Sequence, residues 1–204
     1  MIWLLAHLAL AADMEAQDAR APVAAHQLDQ RPGVYLRWDP RRSWGTSLLV
    51  EVMDEVAHRV AAELPLADPL LVGDISRRGG GWMPGHITHH MGIDADVGLY
   101  TGDGRQPLEG FLDVAPADLD LHATWVLIRA LLDTDQVAFI LLDQRHIDRL
   151  REYVVAWEGL SPSEAESIFV RPGASLPWGT RGVVRHAPNH KSHLHVRIQV
   201  EPQT

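Results

Sequence analysis

The chain has 204 residues and a formal net charge of −9, from 18 Lys and Arg against 27 Asp and Glu, so its summed field repels a polyanion and no nucleic-acid partner is expected. Hydrophobic residues make up 46% and charged residues 22%, which excludes a disordered or collagen-like chain and points to one domain with a genuine core. There is no cysteine; disulfides, thiolate metal sites and a cysteine nucleophile are excluded together, and any metal must rest on nitrogen and oxygen ligands.

Residues 1–32 are expected to form an N-terminal segment ahead of a domain at 33–204. The apolar opening Ile2 to Ala12 reads either as a clipped or atypical signal segment or as a short helix packed on the domain: it ends in small residues but has no basic start and carries His7. Residues 13–32, rich in Ala, Asp, Gln and Pro, read as a linker or loose arm. No run approaches the roughly 20 apolar residues that span a bilayer, so no membrane span is expected.

From Thr46 to Leu64 apolar residues recur at three and four, with a capping hydroxyl at Thr46 or Ser47 and Pro65 closing the run, which predicts a helix. Leu70 to Val72 read as a strand entering a loop at Gly79-Gly80-Gly81, where the backbone must turn sharply or approach something closely. A second helix is predicted over Pro116 to Leu132, a buried strand over Val137 to Leu142 and a third helix over Gln144 to Trp157. Strict alternation from His193 to Val200 predicts a half-buried strand. Strands and helices mix without regular alternation, which predicts an α+β fold: a small central antiparallel sheet with flanking helices.

Histidine is the compositional outlier, 12 residues in all. His86, His89, His90, His186, His190, His193 and His195 fall in two short windows. After the first window, Ile93, Ala95, Val97 and Leu99 alternate with Asp94, Asp96 and Gly98, so a strand would place both carboxylates on one face. The terminal strand places His193, His195, Arg197 and Gln199 on one face. If the two strands pair, one polar face collects His89, Asp94, Asp96, His193 and His195, a group hard to satisfy without an ion. Imidazole and carboxylate are ligands that zinc accepts, and three of them leave a fourth position open for catalysis. Spacing alone does not decide between His193 and His195 as ligand. No Gly-x-Ser-x-Gly elbow is present, and two carboxylates two apart on one strand cannot flank a glycosidic bond. The glycine loop lacks the Gly-Lys-Ser/Thr ending of a phosphate cradle. Trp44, Trp82 and Trp178 either line a substrate groove or plug the core, and Arg77 and Arg78 either meet substrate carboxylates or are solvated.

Residues 85–96, Gly-His-x-Thr-His-x-x-Gly-x-Asp-x-Asp, and residues 190–197, His-x-x-His-x-His-x-Arg, resemble the motifs of the penicillin-insensitive murein endopeptidases. That family belongs to a wider group with lysostaphin-type and D-alanyl-D-alanine metallopeptidases and the hedgehog signalling domain. Gly73-Asp74-Ile75-Ser76 and Trp44-Gly45-Thr46 resemble the same family. The resemblance implies a hedgehog and D-Ala-D-Ala-peptidase-like fold, zinc on His89, Asp96 and His195, and His193 as the base toward a water. His86 and His190 match two further active-site histidines that orient groups or stabilise the tetrahedral intermediate. The implied activity is hydrolysis of D-alanyl-meso-diaminopimelate cross-links of peptidoglycan stem peptides, in the periplasm or another extracytoplasmic space. A hedgehog-like zinc module that only binds and a D-Ala-D-Ala carboxypeptidase are the alternatives. Thr88 replaces a residue that is often Ser, and His90, extra beside His89, is expected to point away.

Overall fold

The structure is a computed structural model that describes residues 24–106, 110–177 and 179–200. Its elements run β1 His26–Gln27, β2 Tyr35–Arg37, β3 Trp44–Gly45, α1 Ser47–Glu63, β4 Leu70–Val72, β5 Asp94–Gly98, α2 Leu121–Leu132, β6 Val137–Leu142, α3 Gln144–Trp157, α4 Pro162–Ile168, β7 Val183–His186 and β8 His193–Ile198. The fold is α+β, as expected. The signal segment considered at residues 2–12 lies outside the described residues.

Helix α1 forms where its periodicity predicts. The Thr46 hydroxyl accepts from the Leu49 N–H at 3.1 Å, satisfying one of the free amides at the helix start, and Leu49, Val52, Met53, Val56, Ala57 and Val60 make its buried face. Helix α2 begins five residues later than the predicted Pro116. Pro116–Asp118 is a separate 3-10 turn, and Leu119 is extended and bridged to Thr101. The Asp120 carboxylate then accepts from Ala123 N–H at 2.9 Å, so a better cap restarts the helix. Helix α4 was not anticipated, although Ser161 and Glu164 form a full capping box at its start.

Among the described residues six strands make one sheet in the order β2-β4-β5-β8-β6-β7. The three central pairings are antiparallel, as predicted; the outer pairs β2/β4 and β6/β7 are parallel. Parallel neighbours need a long crossover, and the segment between β2 and β4 holds α1 while that between β6 and β7 holds α3 and α4. Ala95, Val97, Leu194, Val196 and Ile198 join residues of all four described helices in the main core. The opposite faces of β5 and β8 are left to polar residues. Residues 24–32 are held, unlike the loose arm expected over 13–32: Ala24 and Leu28 are fully buried, and β1 pairs with β3. Among the described residues no helix is long and apolar enough to cross a membrane.

Candidate metal centre

Strands β5 and β8 pair side by side, and the register sets Asp94 opposite Arg197, Asp96 opposite His195 and Gly98 opposite His193. Directly opposed residues share a face, so the chain segments nearly a hundred residues apart meet as alternation predicted. His89 arrives from the loop before β5. The turns at Gly79, Gly80 and Gly81 all have positive φ, and a Cβ on Gly80 would run into the carbonyl oxygen of His90. Close approach is thus what that loop requires, and it brings the following His86–His90 segment back over the sheet.

His89 Nδ1 lies 2.9 Å from the Ile75 carbonyl oxygen. A carbonyl only accepts, so Nδ1 carries the proton and Nε2 of the neutral ring turns a lone pair inward. His195 donates Nε2–H to Asp94 Oδ1 at 2.9 Å, which turns its Nδ1 inward. His89 Nε2, His195 Nδ1 and Asp96 Oδ1 then stand 3.1 Å from one another on all three sides. Three buried acceptors aimed at one point repel each other unless a cation or proton lies between them. Ligand atoms at about 2.0–2.1 Å from a tetrahedral ion are separated by about 3.3 Å, so this donor set fits a zinc-sized ion. The outer partners Ile75 and Asp94 hold the rings as second ligand-orienting contacts do in metal sites.

His86 lies at the margin. Its Nε2 is 2.8 Å from Asp74 Oδ2 and its Nδ1 3.8 Å from Asp96 Oδ2, and His86, His89 and Asp96 offer ligand atoms all within 4.8 Å of one another. The closer triangle is the one completed by His195, because the second nitrogen of His86 is already engaged. His193 Nε2 is 3.6 Å from Asp96 Oδ1, while its Nδ1 is 3.0 Å from Ser192 Oγ. His190 Nδ1–H donates to the Pro188 carbonyl at 2.7 Å, and its ring lies 5.1 Å from that of His193. All six site residues named from the sequence therefore meet in one place.

Asp94 and Asp96 are both buried, and each needs a positive charge beside it. The Arg197 guanidinium grips both oxygens of Asp94 at 2.8 and 2.9 Å, and Asp96 faces His89 and His195, where either a proton or a metal ion can supply the charge. Burial works against the Asp94 carboxylate, but the hydrogen bonds from His195 and Arg197 outweigh it and hold it at about 2. Burial likewise opposes Asp96, and His89 and His195 hold it well below the usual carboxylate range. Burial disfavours charge on His195, yet its bonds to Asp94 and Asp96 raise it to about 9. Burial lowers His193, and it lowers His190 to about 4.

Two neighbours of the site were not singled out from the sequence. Asp74 lay within a recognised motif, but its link to His86 and to Arg42, at 2.9 Å, depends on how the loop folds. Phe111 lies in no motif, and its ring stacks on His193 with centroids 5.0 Å apart. The three tryptophans read as either groove-lining or core-plugging have the following surroundings. Trp44 is covered by the Arg78 guanidinium at 5.2 Å, Trp82 is 72% exposed, and Trp178 lies outside the described residues.

The sequence model of the family described as penicillin-insensitive murein endopeptidase matches residues 23–117, a span that contains His86, His89, Asp94 and Asp96. This chain is related to that family. A penicillin-insensitive murein endopeptidase of Yersinia pestis bv. Antiqua is 27% identical over 167 residues, covering 80% of this chain and 56% of the relative. The Salmonella paratyphi C protein of the same name is 25% identical over 165 residues, 80% of this chain and 57% of its own. The Haemophilus influenzae one is 37% identical over 70 residues, 33% of this chain and 23% of its own. The chain thus spans a little over half the length of the Yersinia and Salmonella murein endopeptidases. The second histidine window lies beyond the family-model match, so the pairing of β8 with β5 is what unites the two halves of the site.

Proposed function

We propose that this chain is a zinc-dependent peptidase that hydrolyses peptide cross-links of peptidoglycan, of the D-alanyl-meso-diaminopimelate type, in the periplasm or another extracytoplasmic space. The observation that carries the reading is the convergence of His89 Nε2, Asp96 Oδ1 and His195 Nδ1 at 3.1 Å, with their outer atoms tied to fixed partners. The relatives' names supply the substrate class. His89, Asp96 and His195 would hold the zinc, which supplies a Lewis acid for the scissile carbonyl and eases deprotonation of water near neutral pH.

The remaining steps belong to the chain's own side chains. With Nδ1–H given to Ser192 Oγ, His193 presents the Nε2 lone pair toward the site, where it takes a proton from the attacking water and returns it to the leaving amine. Burial keeps His193 unprotonated at neutral pH, the state a base requires. His190 is neutral there too and spends its N–H on Pro188. It therefore acts as an acceptor that orients water or substrate, not as an oxyanion donor. His86, held by Asp74 at 2.8 Å with its Nδ1 3.8 Å from Asp96 Oδ2, stands on the far side of the site.

The test combines elemental analysis with digestion of cross-linked muropeptides before and after chelation. About one zinc per chain and loss of cleavage on metal removal are expected, and cleavage that persists after complete removal overturns the mechanism. His193→Ala is expected to lower kcat by about 10²- to 10⁴-fold while zinc stays bound. A module that only held a partner would be indifferent to that change, and masses of the products separate cross-link cleavage from trimming of a terminal D-alanine.

Metal affinity should depend on pH. In the metal-free chain the proton on His195, raised to about 9, must leave when the ion binds. Since the imidazole is charged below that value, apparent zinc affinity is expected to rise about tenfold per pH unit from about pH 6 to 8 and to flatten near 9. Competition titrations against a chelator at fixed pH values measure the slope. A slope near zero would show that no such proton is displaced.

A further inference from the structure

His193 stands at the first residue of β8, and its one ring hydrogen bond among those described goes to its own neighbour, Ser192. A contact to the preceding residue moves with the same backbone, so it constrains ring rotation weakly. The orientation of Nε2 needs a wall from another part of the fold. Phe111 supplies one: its ring lies 5.0 Å from the His193 ring with an interplanar angle of 19°. Phe111 is itself walled in. Another neighbour is Trp38, edge-on at 5.5 Å and 67°, and its tip rests on Gly73, where an added Cβ would lie 2.5 Å from Cε2 and Cζ. The N–H of Val114 bonds to the Lys191 carbonyl at 3.0 Å, joining the Phe111 loop to the segment that enters β8.

We infer that Phe111, seated on the bare backbone of Gly73, is a positioning residue that aims the His193 imidazole into the site. The inference rests on the reading of His193 as the base. Gly73 matters for its missing side chain: its amide also bonds to the Asp96 carbonyl at 2.8 Å, so β-carbon growth there is met by movement of the Phe111 ring tip, the one soft atom group against it. Two unrelated substitutions, one removing the ring and one displacing it, should therefore give the same defect.

The experiment uses the full chain, zinc-loaded, as wild type, Phe111→Leu, Phe111→Tyr and Gly73→Ala, with cross-linked muropeptide dimers as substrate. Phe111→Leu and Gly73→Ala are each expected to lower kcat on the order of 10- to 100-fold with KM little changed, the size of effect a misaimed group gives. Zinc content should stay at the wild-type level, and Phe111→Tyr, which keeps the flat face, should restore most of the turnover. Independently of activity, the His193 ring protons in a carbon-resolved NMR spectrum should lie upfield in wild type and Phe111→Tyr. They should move downfield in the other two variants, because they leave the shielding region of a stacked ring. Unchanged kcat in both Phe111→Leu and Gly73→Ala, or unmoved His193 resonances, overturns the inference. If Phe111→Leu does not fold, Gly73→Ala adds a single methyl and carries the same test. If wild type itself leaves the dimers intact, the peptidase reading fails, and the resonances alone decide whether Phe111 orients His193.

Discussion

Replacing Asp96 with Asn is expected to reduce bound zinc from about one per chain to near zero and to bring muropeptide cleavage down on the order of 10⁴-fold or more. The amide keeps the size of the carboxylate, so the effect isolates charge. Asp96 Oδ1 is one corner of a triangle whose other corners are the neutral faces of His89 and His195, each 3.1 Å away. It is the anionic member of that triangle, and without it a dication would meet only two imidazoles. His195 keeps Asp94 as its partner after the substitution, so the metal-free protein should remain folded while losing its claim on a cation. Elemental analysis, calorimetric zinc titration and product chromatography on the same preparation give the answer. A variant that kept stoichiometric zinc would remove Asp96 from the ligand set. The contrast with His193→Ala is diagnostic, since that variant keeps the ion and loses turnover.

Asp94→Ala is expected to be the costliest substitution for stability, at about 3–5 kcal/mol. Asp94 and Arg197 are both buried, and removing the carboxylate leaves a guanidinium in the core without the anion it grips through two hydrogen bonds. For a chain of this length that corresponds to a fall of roughly 10 °C in Tm. The same change releases His195 Nε2 from its acceptor, and loss of such an orienting contact weakens zinc binding by about 10- to 100-fold. The double variant Asp94→Leu with Arg197→Met separates the two effects. Apolar replacement of a whole buried pair is often neutral for stability, so the double variant should recover most of the lost Tm while zinc affinity stays low. Calorimetric melting with zinc titration on all three proteins tests this. A double variant as unstable as Asp94→Ala would show that the pair itself holds the sheet together.

Much of the site was legible in the residues because β-strand alternation is a local rule. Period two put Asp94 and Asp96 on one face and His193, His195 and Arg197 on another, and pairing of β5 with β8 merged the two faces in register. The helices α1 and α3 were equally legible, since their apolar spacing and their ends are encoded within one segment. The break before α2 was not, because Leu119 is drawn into a bridge with Thr101, a partner that helical periodicity cannot foresee. The parallel outer strands were missed for a related reason. Whether a short strand such as β7 joins parallel or antiparallel depends on where its crossover helices pack, and its four residues carry no direction of their own.

The chain's order of residues alone determined which side chains are candidates: acidic and imidazole groups in two windows, no thiols, and a strand pattern able to present them together. What only the tertiary structure decided is which nitrogen of each imidazole faces inward. The Ile75 carbonyl fixes it for His89 and the Asp94 carboxylate for His195, and both partners are set by the folding of separate segments. Tautomer and aim are properties of hydrogen bonds made across the fold, so spacing could not choose between His193 and His195. The pairing register sets His195 opposite Asp96 and leaves His193, under the Phe111 ring, opposite a glycine, and the different roles proposed for the two rest on that difference.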